Sequence, residues 1–292
     1  MGVIRSAGEK VLDAFIIVWV GIFSLFCVLP MIHIFALSFS GNRAIMSGEV
    51  FLWPVDWSFH SYTAVFGDWS MIRSLAITVV LVGVYTAIAL AMTVMAAYAL
   101  SRRHFRGKQI MFGLIVATMF FHPGIIPNYL LIKELNLIDS LWSLILPIMI
   151  SAFHLIIMKT SFAQIPEELE DSAWMDGCGH FRFLLTIVLP LQLPILATIG
   201  LYSAVNRWNT FQDALFYIND KNLYPLQLKL YQMIINSQVN DATAQEGFSA
   251  STPIPQGIQS ASIMFATVPI LLVYPWLQKY FISGMLQGAV KG

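Results

Sequence analysis

The sequence predicts an all-α membrane protein of about six transmembrane helices, and three observations carry that prediction. The chain of 292 residues is 58% hydrophobic and only 11% charged, with a mean hydropathy of +0.72. Soluble domains carry roughly 25% charged residues, so this chain lacks the polar surface to cover a globule. Runs of spanning length without a charge recur along it. Lys and Arg gather in one short loop, as they do on the cytoplasmic side of membrane proteins.

A helix needs about 20 apolar residues to cross a bilayer. Stretches free of Asp, Glu, Lys and Arg cover 14–42, 74–101, 110–132, 140–158, 183–206 and 247–278. Helices are therefore expected near 13–38, 72–100, 110–132, 139–160, 186–206 and 260–283. The first run is longer than the core of a cleaved leader, and no small-residue cleavage site follows it, so it is expected to stay as a membrane helix. The second ends at the loop 101–109, where Arg102, Arg103, Arg106 and Lys108 set a cytoplasmic location. The third is interrupted by His122-Pro123-Gly124. The fifth begins near Leu189-Pro190. Six spans put both termini in the cytoplasm, beside Arg5 and Lys10 at one end and Lys279 and Lys291 at the other. The outer loops, near 39–71, 133–139 and 207–259, hold Trp53, Trp57, Trp69 and Tyr224, side chains suited to a membrane interface. The whole chain, 1–292, is read as a single multi-pass transmembrane domain, with the lipid bilayer as its solvent.

Formal net charge is zero, which leaves no basic excess to neutralise phosphates and argues against nucleic acid as a partner. Cys27 sits in an apolar run and Cys178 in a polar loop, so neither a disulfide nor a metal site is expected.

The loop 161–190 departs from the rest. It falls in the cytoplasm yet contains Glu167, Glu168, Glu170, Asp171 and Asp176, with few basic residues. Pro166 suits the first position of a helix, where a missing N–H is harmless. Glu167 and Glu168 follow in the first turn, where they complement the helix dipole. Leu169 and Ala173 would share a narrow face, with small Ser172 beside it. Gly177 stands where such a helix should stop, since left-handed backbone is easy for glycine. An acidic, structured cytoplasmic loop is expected to be a docking surface.

This stretch resembles the EAA loop of binding-protein-dependent ABC importer permeases. Asp171-Ser172-Ala173, then Gly177, then Ile187-Val188-Leu189-Pro190 follow that family's pattern, with Asp171 for the usual Glu and Ser172 for the first Ala. The segment from Arg207 to Leu215, with Trp208-Asn209 and Ala214-Leu215, resembles the sugar permeases after their fifth span. The tail Gly288-Ala-Val-Lys-Gly292 resembles their carbohydrate branch, of the type serving complex or uronate-containing oligosaccharides such as alginate or rhamnogalacturonan fragments. The resemblance implies the type I ABC importer permease fold, a multi-pass location in the bacterial plasma membrane and a role in oligosaccharide import. It implies a second, homologous permease as heterodimer partner, two ATPase subunits that carry ATP and Mg, and an extracellular or periplasmic solute-binding protein. It places coupling to the ATPase on Glu170, Asp171, Ser172, Ala173, Asp176 and Gly177.

No G-x-x-x-x-G-K-[ST] phosphate loop occurs in the chain, and no catalytic constellation or cofactor motif is found. The chain is thus expected to be non-catalytic, with any ATP hydrolysed elsewhere. The alternative function is an ion-coupled secondary sugar carrier, which would need an ionisable relay such as His122 and His154 within the spans.

Polar groups in hydrocarbon are expensive, charges by about 3 kcal/mol on insertion scales, so those in spans tend to face a cavity or a partner. His122, Asn128 and Tyr129 either line a sugar passage along a bent third helix or satisfy backbone freed by the bend. Asn206, Trp208, Asn209, Gln212 and Asp213 combine sugar-bonding groups with an aromatic face for a pyranose. They either line an outer vestibule or form an ordinary interfacial helix. His154 in the fourth span either contacts sugar or, the preferred reading, packs as a satisfied histidine. Arg207 either attracts an acidic sugar or snorkels to the interface. The segment 219–255 is read as a long outer loop.

Overall fold

The apolar runs become helices because a backbone without water must satisfy its own polar groups. The computed structural model describes residues 7–102, 105–121, 123–245 and 255–289. These divide into two compact units, one of Met1–Met71 with Leu230–Val268 and one of Ile72–Lys229 with Pro269–Gly292. Among the described residues there is no strand, only an isolated bridge between Ser40 and Trp57.

In the first unit, α1 (Ala7–Ser38) carries a 28-residue apolar stretch, Val11–Ser38, none of whose most apolar window is buried within the chain. The short helices α2 (Asn42–Met46) and α3 (His60–Gly67) follow. Ala36, Leu37, Ala44, Ile45 and Val50 form their core. Phe39 gathers Phe35, Trp57, Phe59 and Tyr62 around itself at centroid distances of 4.9, 5.8, 5.6 and 4.6 Å.

In the second unit, α4 (Trp69–Ser101) is a single helix of 33 residues. The expected third span at 110–132 is two helices, α5 (Lys108–Thr118) and α6 (Ile125–Glu134). The break has a local cause. Gly124 sits at φ 87°, a backbone region that L side chains rarely adopt, right after Pro123. His122 lies outside the described residues.

The fourth and fifth runs are bent as well. Two 3₁₀ turns, Leu141–Leu144 and Leu146–Ile148, lead into α7 (Ala152–Phe162) at 50°. Ser151 caps α7 by accepting from the His154 N–H. Then come α8 (Glu167–Met175), α9 (His180–Phe183), a π-helical turn (Leu184–Val188), α10 (Leu189–Leu191) and α11 (Leu193–Asn209). The stretch His180–Leu191 meets α11 at 84°. Pro190 and Pro194 flank the corner and remove two backbone donors. The wider π turn just before Pro190 accommodates its ring. Gln192 at the corner is tied to α7, its Oε1 accepting from the Ser161 hydroxyl.

The short α12 (Gln212–Tyr217) precedes α13 (Leu226–Gln245) and α14 (Gln256–Ala289). The reading of 219–255 as a loop is corrected, since α13 fills most of it. Its start, Leu-Gln-Leu-Lys-Leu, alternates with the period of a strand, which hid the helix. In the structure Leu226, Leu228 and Leu230 are all buried. The Leu226 N–H, an orphan donor of the first turn, is taken up by the Thr78 hydroxyl at 2.8 Å.

The core of the second unit joins α4, α7, α8 and the π turn. Val94, Ala97, Tyr98, Met158, Phe162, Ala173, Phe183, Leu184, Val188 and Ile199 pack there. At Gly200, α11 comes so close to α4 that an added Cβ would lie 3.2 Å from Leu90 Cδ1.

Candidate functional site

The acidic helix α8 is built as local chemistry dictates. Glu167, Glu168 and Glu170 occupy its first turn, where they face the positive end of the helix dipole. It ends in a Schellman motif. Gly177 at φ 73° donates to Trp174 O at 3.0 Å, and Cys178 N donates to Ala173 O at 2.9 Å. The expected face of Leu169 and Ala173 is split in the fold. Ala173 is 6% exposed and packs into the chain's own core, whereas Leu169, Trp174 and Met175 stand outward, Met175 at 89% exposure. Asp171, Ser172, Asp176 and Gly177 are also exposed. Glu170 accepts from Arg102 at the end of α4.

A second feature lies in the same unit. A cavity of about 570 Å³ is lined by Tyr85 of α4, by Pro147, Ile148, Ile150, Ser151 and His154, and by Tyr202, Asn206, Thr210, Gln212 and Asp213. Three of the expected pathway residues, Asn206, Gln212 and Asp213, therefore share one wall. His154, read as a packing residue, is on the lining too, its ring 6.2 Å from that of Tyr202.

Other candidates lie elsewhere. Trp208, on the opposite side of α11, is buried against an apolar pocket of about 300 Å³ with Val79, Leu201 and Ile270 among its walls. Asn209 turns its amide back onto Val205 O at 2.9 Å. Asn128 and Tyr129 on α6 are exposed and absent from the cavity lining, Tyr129 stacking on Tyr217 at 6.5 Å.

Arg207 neither reaches toward cargo nor snorkels. It is 2% exposed, and both its terminal nitrogens donate to the Asp213 carboxylate. Leu144 O at 3.2 Å and Thr210 O at 3.3 Å accept further bonds from them. Desolvation explains the arrangement, because an unpaired guanidinium at that depth would be expensive. Asp213 thus reaches the cavity already neutralised.

Tyr85, Ser151, Tyr202 and Thr210 were not anticipated. Their only signal in the sequence is a hydroxyl in or at the end of an apolar run, which Thr86 and Ser203 share without lining the cavity. Asp139 was also missed. At φ 58° its carboxylate accepts from the backbone N–H of Asn219 and of Asp220, and its own N–H donates to Tyr217 O at 2.9 Å. Those backbone donors hold its pKa below the ordinary carboxylate value. Among the described residues no group of three or more His, Cys, Asp or Glu is placed to hold a metal ion.

Residues 89–287, which include both α8 and most of the cavity lining, match the family described as binding-protein-dependent transport system inner membrane component. The chain belongs to this family. This permease is 42% identical over 284 residues to a polygalacturonan/rhamnogalacturonan transport system permease protein of Bacillus subtilis, covering 97% of this chain and 99% of the relative. It is 41% identical over 290 residues to protein LplC of the same organism, covering 99% and 97%. A chain from the crystal structure of a bacterial ABC transporter involved in the import of the acidic polysaccharide alginate superposes with a TM-score of 0.87 at 32% identity, covering 96% of the permease and 100% of that chain. The permease is therefore a multi-pass inner-membrane component of an ABC importer, with the type I fold of such subunits. It works with a solute-binding protein and with a separate ATPase subunit that hydrolyses the ATP. Nothing in these likenesses supports an ion-coupled carrier.

Proposed function

We propose that the permease passes acidic, uronate-containing oligosaccharides across the membrane through the cavity bounded by Tyr85, His154, Tyr202, Asn206 and Gln212. The observation that carries this reading is the cavity itself, a space that places several polar side chains together in an apolar chain, in a protein 42% identical to a polygalacturonan/rhamnogalacturonan permease. Phenol, imidazole and amide groups suit sugar hydroxyls and carboxylates. No Lys or Arg is on the lining, since Arg207 is closed off by Asp213. That suits passage rather than storage, because a pathway must bind firmly enough to admit its cargo and weakly enough to release it.

The working unit is a heterodimer with a second permease, with two ATPases bound in the cytoplasm and a binding protein delivering cargo outside. Six spans, counting α5 with α6 as one, put both termini and α8 on the cytoplasmic side. One ATPase, holding ATP and Mg, docks on α8, where Asp171, Ser172, Asp176 and Gly177 are exposed with Leu169 and Met175 beside them. Ala173 serves from beneath, anchoring the helix.

The test is the assembled importer in proteoliposomes with its binding protein. Oligogalacturonate should stimulate ATP hydrolysis and enter the vesicles, while a neutral oligosaccharide of equal length should do neither. Equal stimulation by both would refute the acidic specificity. Transport that survives Gly177→Arg and Asp171→Lys, with normal insertion, would refute the docking role of α8.

A further inference from the structure

One side chain joins α4 to α8. Arg102 follows the last residue of α4 and donates from Nη1 to Glu170 Oε2. Its guanidinium carbon lies 4.6 Å from the Tyr98 ring centroid and 5.9 Å from that of Phe183. Its Nε and Nη2 each donate to Ser101 Oγ at 3.2 Å. The pair is largely shielded, with 13% of the Arg102 side chain and 24% of Glu170 exposed. On the same turn of α4, Tyr98 Oη donates to His180 O at 3.2 Å, so the start of α9 is tied in as well. Ala173 and Phe183 share one core cluster with Val94 and Ala97.

The other end of this connection is the cavity. From Tyr85 to Ser101 the helix contains neither Gly nor Pro. Its hydrogen-bond ladder runs about 25 Å along the axis without a built-in hinge. A push at Arg102 is therefore delivered at Tyr85, whose hydroxyl donates to Ile148 O across the cavity wall at 3.3 Å.

We propose that Arg102 is a positioning residue that makes α8 and α4 one rigid body, so that movement imposed on α8 is carried to the cavity wall at Tyr85. The inference rests on the reading of α8 as the ATPase-docking helix. A planar fork held between two rings and a carboxylate fixes direction as well as distance. Lysine has no such fork and holds distance alone. An exposed ion pair would be too weak and too mobile for this. Burial and the aromatic faces distinguish this one.

The test uses the complete importer with Cys27 and Cys178 replaced by serine and spin labels at Met95 on α4 and Glu168 on α8, both exposed. In the otherwise unaltered permease the distance between the labels should be the same without nucleotide and with ATP plus loaded binding protein. With Arg102→Ala the distance should broaden or change between the two states. Cargo moved per ATP hydrolysed should fall about tenfold, the size of an ordinary coupling between sites, and Arg102→Lys should fall in between. A purely structural role would lower transport and hydrolysis together with the amount of complex and leave their ratio alone, which would overturn the proposal. A distance that shifts between states with Arg102 in place would overturn it too. If Arg102→Ala does not insert, Glu170→Gln in the same measurement decides. Gly177→Arg runs in parallel. If it abolishes transport while Arg102→Ala is silent, only the role of Arg102 falls. If neither affects transport, the docking role of α8 falls and takes this inference with it.

Discussion

Arg207 and Asp213 face each other across the turn from α11 to α12, and their two-pronged ion pair seals the guanidinium away from the cavity that Asp213 borders. Leu144 O and Thr210 O accept from the same nitrogens, so the pair also fastens the bent fourth run to the end of α11.

Removing one partner strands the other. Arg207→Ala should destabilise the permease by about 3–5 kcal/mol, the usual result of breaking a buried pair from one side. Asp213→Ala should be nearly as harmful. The double change Arg207→Met with Asp213→Leu should recover most of the loss, because it buries no charge. Thermal unfolding of the purified protein in detergent checks this, and a double variant as unstable as the singles would contradict it.

The cavity divides the polar residues around α11 into two classes. Gln212→Ala and Tyr202→Phe each remove a polar group from the cavity lining and, on the proposed function, should lower transport about three- to tenfold, the worth of one hydrogen bond. Trp208→Phe should leave transport within twofold, because Trp208 faces the apolar pocket and its indole N–H has no partner among the described residues. Initial rates of cargo uptake at equal permease amounts distinguish the two classes.

Gly177 separates backbone strain from docking. A Cβ there would meet nothing within 4 Å, but φ is 73°. Gly177→Ala should therefore cost about 1 kcal/mol of local stability and keep most transport. Gly177→Arg adds the same strain plus a bulky cation on an exposed helix end, and should abolish transport. Uptake and ATPase co-purification, measured side by side, check this.

The Asp139 clasp is sensitive to acid. Its pKa is depressed, by the N–H groups of Asp220 and Asn219. The sign follows: its contribution is complete above the ordinary carboxylate pKa of about 3.9 and fades as pH falls through the lower native value. Amide exchange at Asn219 and Asp220 should be insensitive to Asp139 protonation between about pH 5 and 8, once intrinsic rates are divided out, and should accelerate more steeply below about pH 4. In Asp139→Ala both amides should exchange faster across the whole range.

Much of the architecture was open to reading from one residue after the next. Apolar runs long enough to span correspond to α1, α4 and α14, and the acidic stretch before Gly177 is the helix α8 that ends where a left-handed residue allows. Solvent preference and backbone freedom belong to individual residues, so such features are visible without a neighbour. The interruption at Pro123-Gly124 was visible too, whereas Leu189-Pro190 read only as the start of the fifth run. Their consequences, two separate helices and an 84° corner, depend on what packs against them, such as Ser161 against Gln192.

Partnership was decided only in three dimensions. The strand-like alternation at Leu226 folds as helix with Leu226, Leu228 and Leu230 all buried, and Thr78, distant in the chain, takes up its first donor. Ala173 turns inward while Leu169, four residues earlier, stays outside, because the core of Tyr98, Phe162 and Phe183 lies on one side of α8. Arg207 is a buried strut rather than a sugar ligand because Asp213 and two carbonyls reach it first. A composition and a run of residues determine which groups must leave water or stay in it. Which of those groups then neutralise one another, and which remain to face a cargo, follows from distances that only the packed chain sets.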